Sequence, residues 1–242
     1  MGFEPVADGV LVRTSRRLAT TSTLVLGHRT AEGRAALLVD PAWDPVELAA
    51  IAEEVAGLGA RVLAGFATHA HHDHLLWPPG LDGAWRWATP TTARTALRER
   101  DRLLAEARQD AARYGGSDHT PRVLDLLGRV ESYGDRATLP DLGGLLPEVR
   151  VVEHDGHAPG HAALWLPDSR VLLAGDMLSD AEPPLPADEI TGRTDVASYR
   201  AGLDRLTPYV ARAAVLVPGH GTVTTEPMLR LETDRRLLES GS

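Results

Sequence analysis

The sequence contains no cysteine, and this absence excludes several kinds of chemistry. Without thiols the chain has no disulfide framework, no thiolate zinc site, no iron–sulfur cluster and no cysteine nucleophile. Lysine is absent as well, so all 25 basic residues are arginine. A lysine clamp for a substrate carboxylate is therefore excluded too.

Long hydrophobic runs are also missing, and positive charge is in deficit. No stretch approaches the roughly 18 apolar residues that cross a bilayer. The formal charge of −9 argues against a nucleic-acid partner, which needs a clustered positive surface. The segment Ser15-Arg16-Arg17-Leu18 is similar to a twin-arginine export signal, but polar residues interrupt the stretch that follows, which indicates a strand pair instead. We expect a cytoplasmic protein with neither a membrane nor a nucleic-acid partner.

The hydrophobic pattern alternates between strands and helices. Continuous apolar runs at residues 35–39 and 62–67 predict buried strands, and residues 46–56 between them have the apolar spacing of an amphipathic helix. This alternation is typical of α/β proteins in which helices pack on a sheet. With 242 residues of average composition, we expect a single domain spanning residues 1–242.

Residues 79–146 differ from this pattern and predict a helical insert. Residues 91–114 have the apolar spacing of one long helix that ends at Gly115-Gly116. We expect the insert, with Trp77, Trp85 and Trp87 and the loop 178–185, to shape an apolar pocket. Two alternatives remain open: the tryptophans anchor the insert, or the long helix is the face of a homodimer.

Metal-capable side chains are concentrated directly after the buried strand at residues 62–67. Four of the ten histidines lie in the segment Thr68-His69-Ala70-His71-His72-Asp73-His74. In an extended segment, residues two apart point the same way, so His69 and His71 can converge on one ion. Asp73 and His74, where the chain turns into a helix, can face a second ion. Buried imidazoles and a carboxylate need partners, so packing alone does not explain them.

This segment resembles the H-x-H-x-D-H signature of the metallo-β-lactamase-fold superfamily. Three later segments resemble the loops that carry the family's other ligands: His157-Ala158-Pro159-Gly160-His161, Ala174-Gly175-Asp176 and Val217-Pro218-Gly219-His220-Gly221. The resemblance implies an α/β (α+β) fold, a four-layer αββα sandwich with a dinuclear site, usually zinc, at one edge of the sheets. The metal ligands that it implies are His69, His71, Asp73, His74, His161, Asp176 and His220.

Within that set, His161 is expected to complete the first site and His220 the second, with Asp176 bridging the two ions. Asp73 and Asp176 are the expected catalytic residues, because they would hold and orient a bridging hydroxide. Iron or manganese could occupy the same ligands. Outside the set, His72 is expected to face solvent or support a ligand, and Asp40 could fix the motif loop.

Differences between this sequence and individual subgroups of the superfamily narrow the range of expected activities. The missing cysteine and lysine disfavour a penicillin-cleaving role, and the short segment after His220 leaves no room for the glutathione-binding domain of glyoxalase II. We therefore expect a hydrolase that cleaves an ester, thioester or lactone in a small-molecule acyl substrate. A mononuclear iron persulfide dioxygenase and a phosphodiesterase or nuclease are the alternatives.

Overall fold

The computed structural model describes residues 2–114, 118–134, 136–188 and 192–240. The strands, in chain order, are β1 (Glu4–Ala7), β2 (Val10–Thr14), β3 (Thr21–Thr30), β4 (Gly33–Val39), β5 (Ala60–Phe66), β6 (Trp85–Ala88), β7 (Glu131–Ser132), β8 (Arg150–His154), β9 (His161–Leu166), β10 (Val171–Gly175), β11 (Ala187–Asp188), β12 (Arg193–Thr194) and β13 (Val215–Pro218). The helices are α1 (Pro45–Gly57), α2 (His72–Leu75), α3 (Pro90–Arg98), α4 (Arg100–Arg113), α5 (Pro121–Leu126), α6 (Val196–Val210) and α7 (Pro227–Ser240), with a 3₁₀ turn at Pro79–Leu81.

Two large sheets organise the molecule. The larger has the strand order β1-β2-β3-β4-β5-β6-β7, antiparallel from β1 to β4 and parallel from β4 to β7. The smaller has the order β13-β10-β9-β8, in which only the β10–β13 pair is parallel. Parallel strands bring their carboxyl ends to the same edge of a sheet. The loops that follow β10 and β13 therefore lie side by side.

The sheets pack face to face, with helices on both outer faces. Alternation along β4 directs Leu37 into the apolar cluster between the sheets and Leu38 into a cluster shared with α1. On β10, Leu173 lies between the sheets and Leu172 packs in a third cluster with α6 and α7. Each of these buried leucines contributes about 1.5–3 kcal/mol through burial. The predicted αββα sandwich is confirmed.

The helix predicted for residues 91–114 is in fact two helices, α3 and α4. Glu99 separates them with φ −97° and ψ 16°, outside the helical range. The break changes the helical phase, and Leu97, which the pattern of a single long helix places on its apolar stripe, is 76% exposed. The predicted end at Gly115-Gly116 lies outside the described residues. The stripe is otherwise confirmed, because α4 buries Leu103, Ala107 and Ala111.

Residues 79–146 also contain strands. Besides α3, α4 and α5, the segment contributes β6 and β7, which extend the larger sheet. Trp43 and Trp165 are fully buried in the core. Among the described helices, none combines the length and apolar character that crossing a membrane requires.

Candidate metal centre

Asp40, at the end of β4, fixes the histidine-rich segment that follows β5. One oxygen of its carboxylate accepts the N–H of Thr68 at 2.9 Å, and the other accepts the Thr68 hydroxyl at 2.8 Å. Asp40 has the left-handed φ of 46°, which is uncommon for a residue other than glycine. Residues 68–71 form a bend, within which His71 has extended dihedral angles (φ −94°, ψ 152°), and α2 begins at His72. The expected turn into a helix is therefore present, but His69 and His71 converge from a bend and not from an extended strand.

A first group of donor atoms forms around His69 and His71. The ligand atoms of His69, His71, His157 and Asp176 all lie within 4.8 Å of one another. His71 Nδ1 is 2.9 Å from His69 Nε2 and 3.3 Å from His157 Nε2. Asp176 Oδ2 lies 3.4 Å from His69 Nε2. Three imidazoles and one carboxylate thus converge on one point.

A second group lies next to the first and shares its carboxylate. Asp73, His74 and His220 offer ligand atoms within 4.8 Å of one another, with His220 Nε2 3.1 Å from Asp73 Oδ2. Asp176 Oδ1 is 3.2 Å from His74 Nε2, and Asp176 Oδ2 lies 3.4 Å from His69 Nε2 in the first group and 3.5 Å from His220 Nε2 in the second. The carboxylate of Asp176 therefore lies between the two groups.

The outward-facing nitrogen of each histidine in these groups, except His71, lies near a hydrogen-bond acceptor. His220 Nδ1 is 2.8 Å from the Leu18 carbonyl oxygen, and His74 Nδ1 is 3.0 Å from Asp40 Oδ2. His69 Nδ1 is 3.0 Å from the Thr68 hydroxyl, which in turn donates to Asp40. The His74–Asp40 contact is an ion pair without a hydrogen bond. Where the outer nitrogen donates, as that of His220 can to Leu18, the inner nitrogen keeps a free lone pair, the arrangement that supports metal-binding histidines. Asp40 thus serves both groups.

The donor atoms fit a metal ion better than they fit one another. In tetrahedral zinc sites with bonds of about 2.0–2.1 Å, neighbouring donors are roughly 3.3 Å apart, close to the spacings found here. Asp176 Oδ1 is buried and accepts no hydrogen bond from the described residues. Imidazole nitrogens and carboxylate oxygens are also the usual ligands of zinc. The residues therefore fit a divalent metal.

His161, expected as a ligand from the sequence, lies outside both groups, and His157 is the member from that loop. His161 Nε2 accepts the backbone N–H of Asp176 at 3.1 Å, and its Nδ1 faces His154 Nε2 at 3.3 Å. With both ring nitrogens engaged, His161 orients the backbone at Asp176 instead of offering a lone pair. The other six expected ligands lie together, and the ligand assignment stays a prediction.

The electrostatics reflect two carboxylates buried among imidazoles. Burial opposes their charged forms, but the neighbouring His74 holds the pKa of both Asp73 and Asp176 well below the usual range. Burial and the charge of His74 lower the pKa of His69 to about 4. Despite burial, Asp176 raises the pKa of His220 to about 12. Protons balance the carboxylates in the metal-free protein, and a divalent cation would displace them.

The opening above the centre is polar, which corrects the expected tryptophan-lined pocket. Trp77 and Trp87 are buried in the core, and Trp85 borders a different pocket beside α1. The loop 178–185 does reach the opening, through Glu182 and Leu185. The cavity is about 280 Å³, and it is bordered by Leu18, His71, His72, Asp73, Glu106, Gln109, Asp110, Arg113, Tyr114, His157, Asp176, Glu182, Leu185 and His220.

Helix α4 covers the centre, as the insert was expected to. Its mouth-facing residues include Gln109, Asp110 and Arg113. His72 Nε2 lies 3.2 Å from Asp110 Oδ2, which places His72 in a supporting contact with α4 and outside the donor groups. Tyr114 follows α4 at the mouth, whereas Tyr199 is buried on the far side of the smaller sheet. Of these two tyrosines, only Tyr114 borders the centre.

One supporting residue gives no signal in the sequence. Asp234 on α7 is only 2% exposed, and its Oδ2 accepts the N–H of Leu178 at 3.1 Å and the hydroxyl of Tyr199 at 3.3 Å. Leu178, two residues after Asp176, has a left-handed φ of 60°. Asp234 therefore helps to hold the turn that carries the shared carboxylate. An isolated acidic residue in an amphipathic helix cannot be distinguished by pattern from a solvent-facing one.

Comparison with known proteins identifies the family. The model of the metallo-beta-lactamase superfamily matches residues 16–220. The chain therefore belongs to the metallo-beta-lactamase superfamily, and it is a metal-dependent hydrolase of that superfamily.

Solved structures share the fold at low sequence identity. A beta-lactamase domain protein from Burkholderia ambifaria is 19% identical over 98% of this chain and 75% of its own, with a TM-score of 0.67. A metallo-beta-lactamase family protein from Thermus thermophilus is 20% identical over 96% and 80%, also with a TM-score of 0.67. The metallo-beta-lactamase FIM-1 from Pseudomonas aeruginosa, in a mono-zinc form, is 16% identical over 99% and 95%, with a TM-score of 0.60. At these identities the likeness shows the fold.

Proposed function

We propose that the protein is a dinuclear zinc hydrolase that cleaves an acyl bond in a small-molecule ester, thioester or lactone. The observation that carries the proposal is the position of Asp176, whose carboxylate contacts His69 of the first donor group and His74 of the second. A carboxylate in that position can bridge two cations. The mono-zinc form of FIM-1, a protein of the same fold, supports zinc as the metal.

The residues divide the work of such a reaction between binding and orientation. When bound, zinc supplies Lewis acidity and a water nucleophile of lowered pKa. His69, His71 and His157 would hold the first ion, and His74 and His220 the second. Asp73, with a carboxylate held ionised beside His220, would accept a hydrogen bond from the attacking water and so orient it.

The mouth of the cavity supports a small substrate with a polar acyl group. Tyr114 and Arg113 border it from the α4 side, where a hydroxyl and a guanidinium can donate to a developing oxyanion or to a polar substituent. The side chain of Leu185 supplies apolar contact on the opposite side. The sequence has neither the cysteine ligand nor the lysine clamp of the large β-lactamase group, which favours acyl substrates other than penicillins.

The test combines metal analysis with a substrate panel. Protein loaded with zinc is analysed by plasma mass spectrometry and assayed on an aryl ester, an aliphatic thioester, a lactone and bis(p-nitrophenyl) phosphate. We expect two zinc ions per chain and turnover of at least one acyl substrate. One iron per chain with oxygen uptake on a persulfide, or turnover of the phosphodiester alone, would overturn the proposal.

Two adjacent histidines provide a matched pair of variants. His71→Ala removes a donor of the first group, whereas His72→Ala removes a side chain that contacts Asp110 outside both groups. We expect at least about a hundredfold larger loss of kcat/KM for His71→Ala, roughly 2.7 kcal/mol of transition-state stabilisation. Equal losses would contradict the ligand assignment.

A further inference from the structure

The loop at residues 179–185, which follows β10 and the Asp176 turn, is attached to the metal centre at both ends. At its start, Ser179 donates its hydroxyl to the carbonyl oxygen of His220 at 2.6 Å. The same hydroxyl oxygen accepts the backbone N–H of Glu182 at 3.1 Å. At its end, the carbonyl oxygen of Leu185 lies 3.3 Å from Nδ1 of His157. The 179–185 loop therefore links the second donor group to the first.

Tight packing holds the start of this loop in place. Asp180 accepts the N–H of Thr222 at 2.8 Å and forms an ion pair with Arg230 at 2.8 Å. A Cβ at Gly221 would lie 2.2 Å from Asp180 Oδ1, so only glycine permits this approach. Gly221 also has a φ of 116°, a conformation that L side chains rarely adopt. The backbone of Glu182 is thus positioned by the loop that carries His220.

Glu182 directs its carboxylate toward the second donor group. One of its carboxylate oxygens lies within 4.8 Å of a carboxylate oxygen of Asp176 and of a ring nitrogen of His220, and the side chain borders the cavity. Among the described residues, no arginine forms an ion pair with Glu182. Glu182 therefore adds a further negative charge beside Asp73 and Asp176, and no arginine of the described residues offsets it.

A second observation shows where a cation would relieve this repulsion. Asp176 has a side chain only 5% exposed, and its Oδ1 accepts no hydrogen bond from the described residues. The carboxylates of Asp176 and Glu182 belong to the same compact set with His220. Carboxylates that approach one another in a partly buried place are stabilised by a shared cation.

Resting on the proposed dinuclear function, we propose that Glu182 is a further ligand of the second metal ion. The second ion then has oxygen ligands from Asp73, Asp176 and Glu182 beside the nitrogens of His74 and His220. Carboxylate oxygens suit manganese better than imidazole nitrogens do. Glu182 therefore makes the second position more tolerant of an oxygen-preferring metal than the histidine-rich first position.

The experiment measures metal affinity directly. Metal-free wild type, Glu182→Gln and Glu106→Gln are each titrated with Zn²⁺ and with Mn²⁺ against a fluorescent chelator. Glu106→Gln is the matched control, because it also removes one negative charge at the mouth but lies outside the donor groups. Circular dichroism of each metal-free variant verifies the fold, and Glu182→Asp is a second variant with the charge retained.

For Glu182→Gln we expect the dissociation constant of the more weakly bound zinc ion to rise at least about tenfold, while that of the more tightly bound ion is unchanged. Even supporting residues of metal sites contribute about 10–100-fold to the affinity. The loss of affinity in Glu182→Gln should be larger for Mn²⁺ than for Zn²⁺. Glu106→Gln should bind both metals as tightly as the wild type. Metal dissociation constants equal to those of the wild type in Glu182→Gln would overturn the proposal. A Glu182→Gln variant that loses turnover but binds both metal ions with unchanged affinity would also overturn it. A wild type that binds one ion overturns the dinuclear function and this proposal together, whereas failure confined to Glu182→Gln overturns only this proposal.

Discussion

Replacing Asp234 with asparagine should stabilise the protein at neutral pH, by an amount that grows as pH rises. Burial raises the pKa of Asp234 to about 6, although the Leu178 N–H and the Tyr199 hydroxyl favour the charged form. A group whose pKa is higher in the folded state than in the unfolded state makes its full contribution to the free energy of unfolding below its unfolded-state pKa. That contribution is lost as the pH rises through its folded-state pKa. Ionised Asp234 therefore weakens the folded state at pH 7, and asparagine removes that charge.

The magnitude follows from the two pKa values. With an unfolded pKa of about 3.9 and about 1.4 kcal/mol per unit, the difference between variant and wild type reaches roughly 3 kcal/mol at pH 8. At pH 5, where Asp234 is largely protonated in the folded state, the same linkage gives roughly 1.5 kcal/mol. The amide oxygen of asparagine can still accept the Leu178 N–H and the Tyr199 hydroxyl, so we expect the turn after Asp176 to persist.

Urea unfolding of the metal-free proteins between pH 5 and 8 measures this difference. Asp204→Asn is the control, because Asp204 makes an exposed ion pair with Arg235 and its loss should change the free energy of unfolding by no more than about 0.5 kcal/mol. A pH-independent difference, or an Asp234→Asn variant less stable than wild type at pH 8, would refute the argument.

Three further predictions concern the metal centre. His157→Ala should lose one metal ion and most activity. His161→Ala should keep both ions and lose about 1–3 kcal/mol of stability, because it leaves the Asp176 N–H without an acceptor. Metal analysis with urea unfolding separates the two variants, and the reverse pattern would restore His161 as the ligand. Asp40→Asn should weaken metal binding by about 10–100-fold, measured by chelator competition, and unchanged affinity would remove Asp40 from its supporting role. Chelation of the metal should lower the melting temperature, because the ion binds only the folded state; an unchanged melting temperature would show that the donor groups hold no ion.

The sequence predicts most of the layered fold and brings most of the site together. Continuous apolar runs such as those of β4 and β10 are typical of strands buried on both faces, so the buried strands are predictable from the apolar pattern. Their arrangement in two sheets was implied by the resemblance to the metallo-β-lactamase fold. The His69–His74 segment is similarly readable, because residue spacing fixes which side chains share a direction.

The position of His157 inside the first donor group, and of His161 outside it, was not predictable in this way. Both flank Pro159-Gly160, and the difference arises because β9 begins at His161, whose Nε2 is then occupied by the Asp176 backbone. Burial of individual tryptophans also depends on position within the sheet. Trp85 and Trp87 share one face of β6, yet Trp85 lies at its margin and is 54% exposed. Such differences are set by tertiary neighbours, which a local pattern does not contain.

The contact between the Leu18 carbonyl oxygen and His220 has a consequence for the order in which this protein matures during synthesis. The donor residues extend from His69 to His220, and the ring of His220 is oriented by a residue near the amino terminus. A nascent chain that has not yet released His220 from the ribosome lacks one donor of the second group. In such a chain the Leu18 carbonyl oxygen also lacks its contact with His220. Assembly of the second donor group therefore requires that His220 has been synthesised and that its loop has met the segment around Leu18.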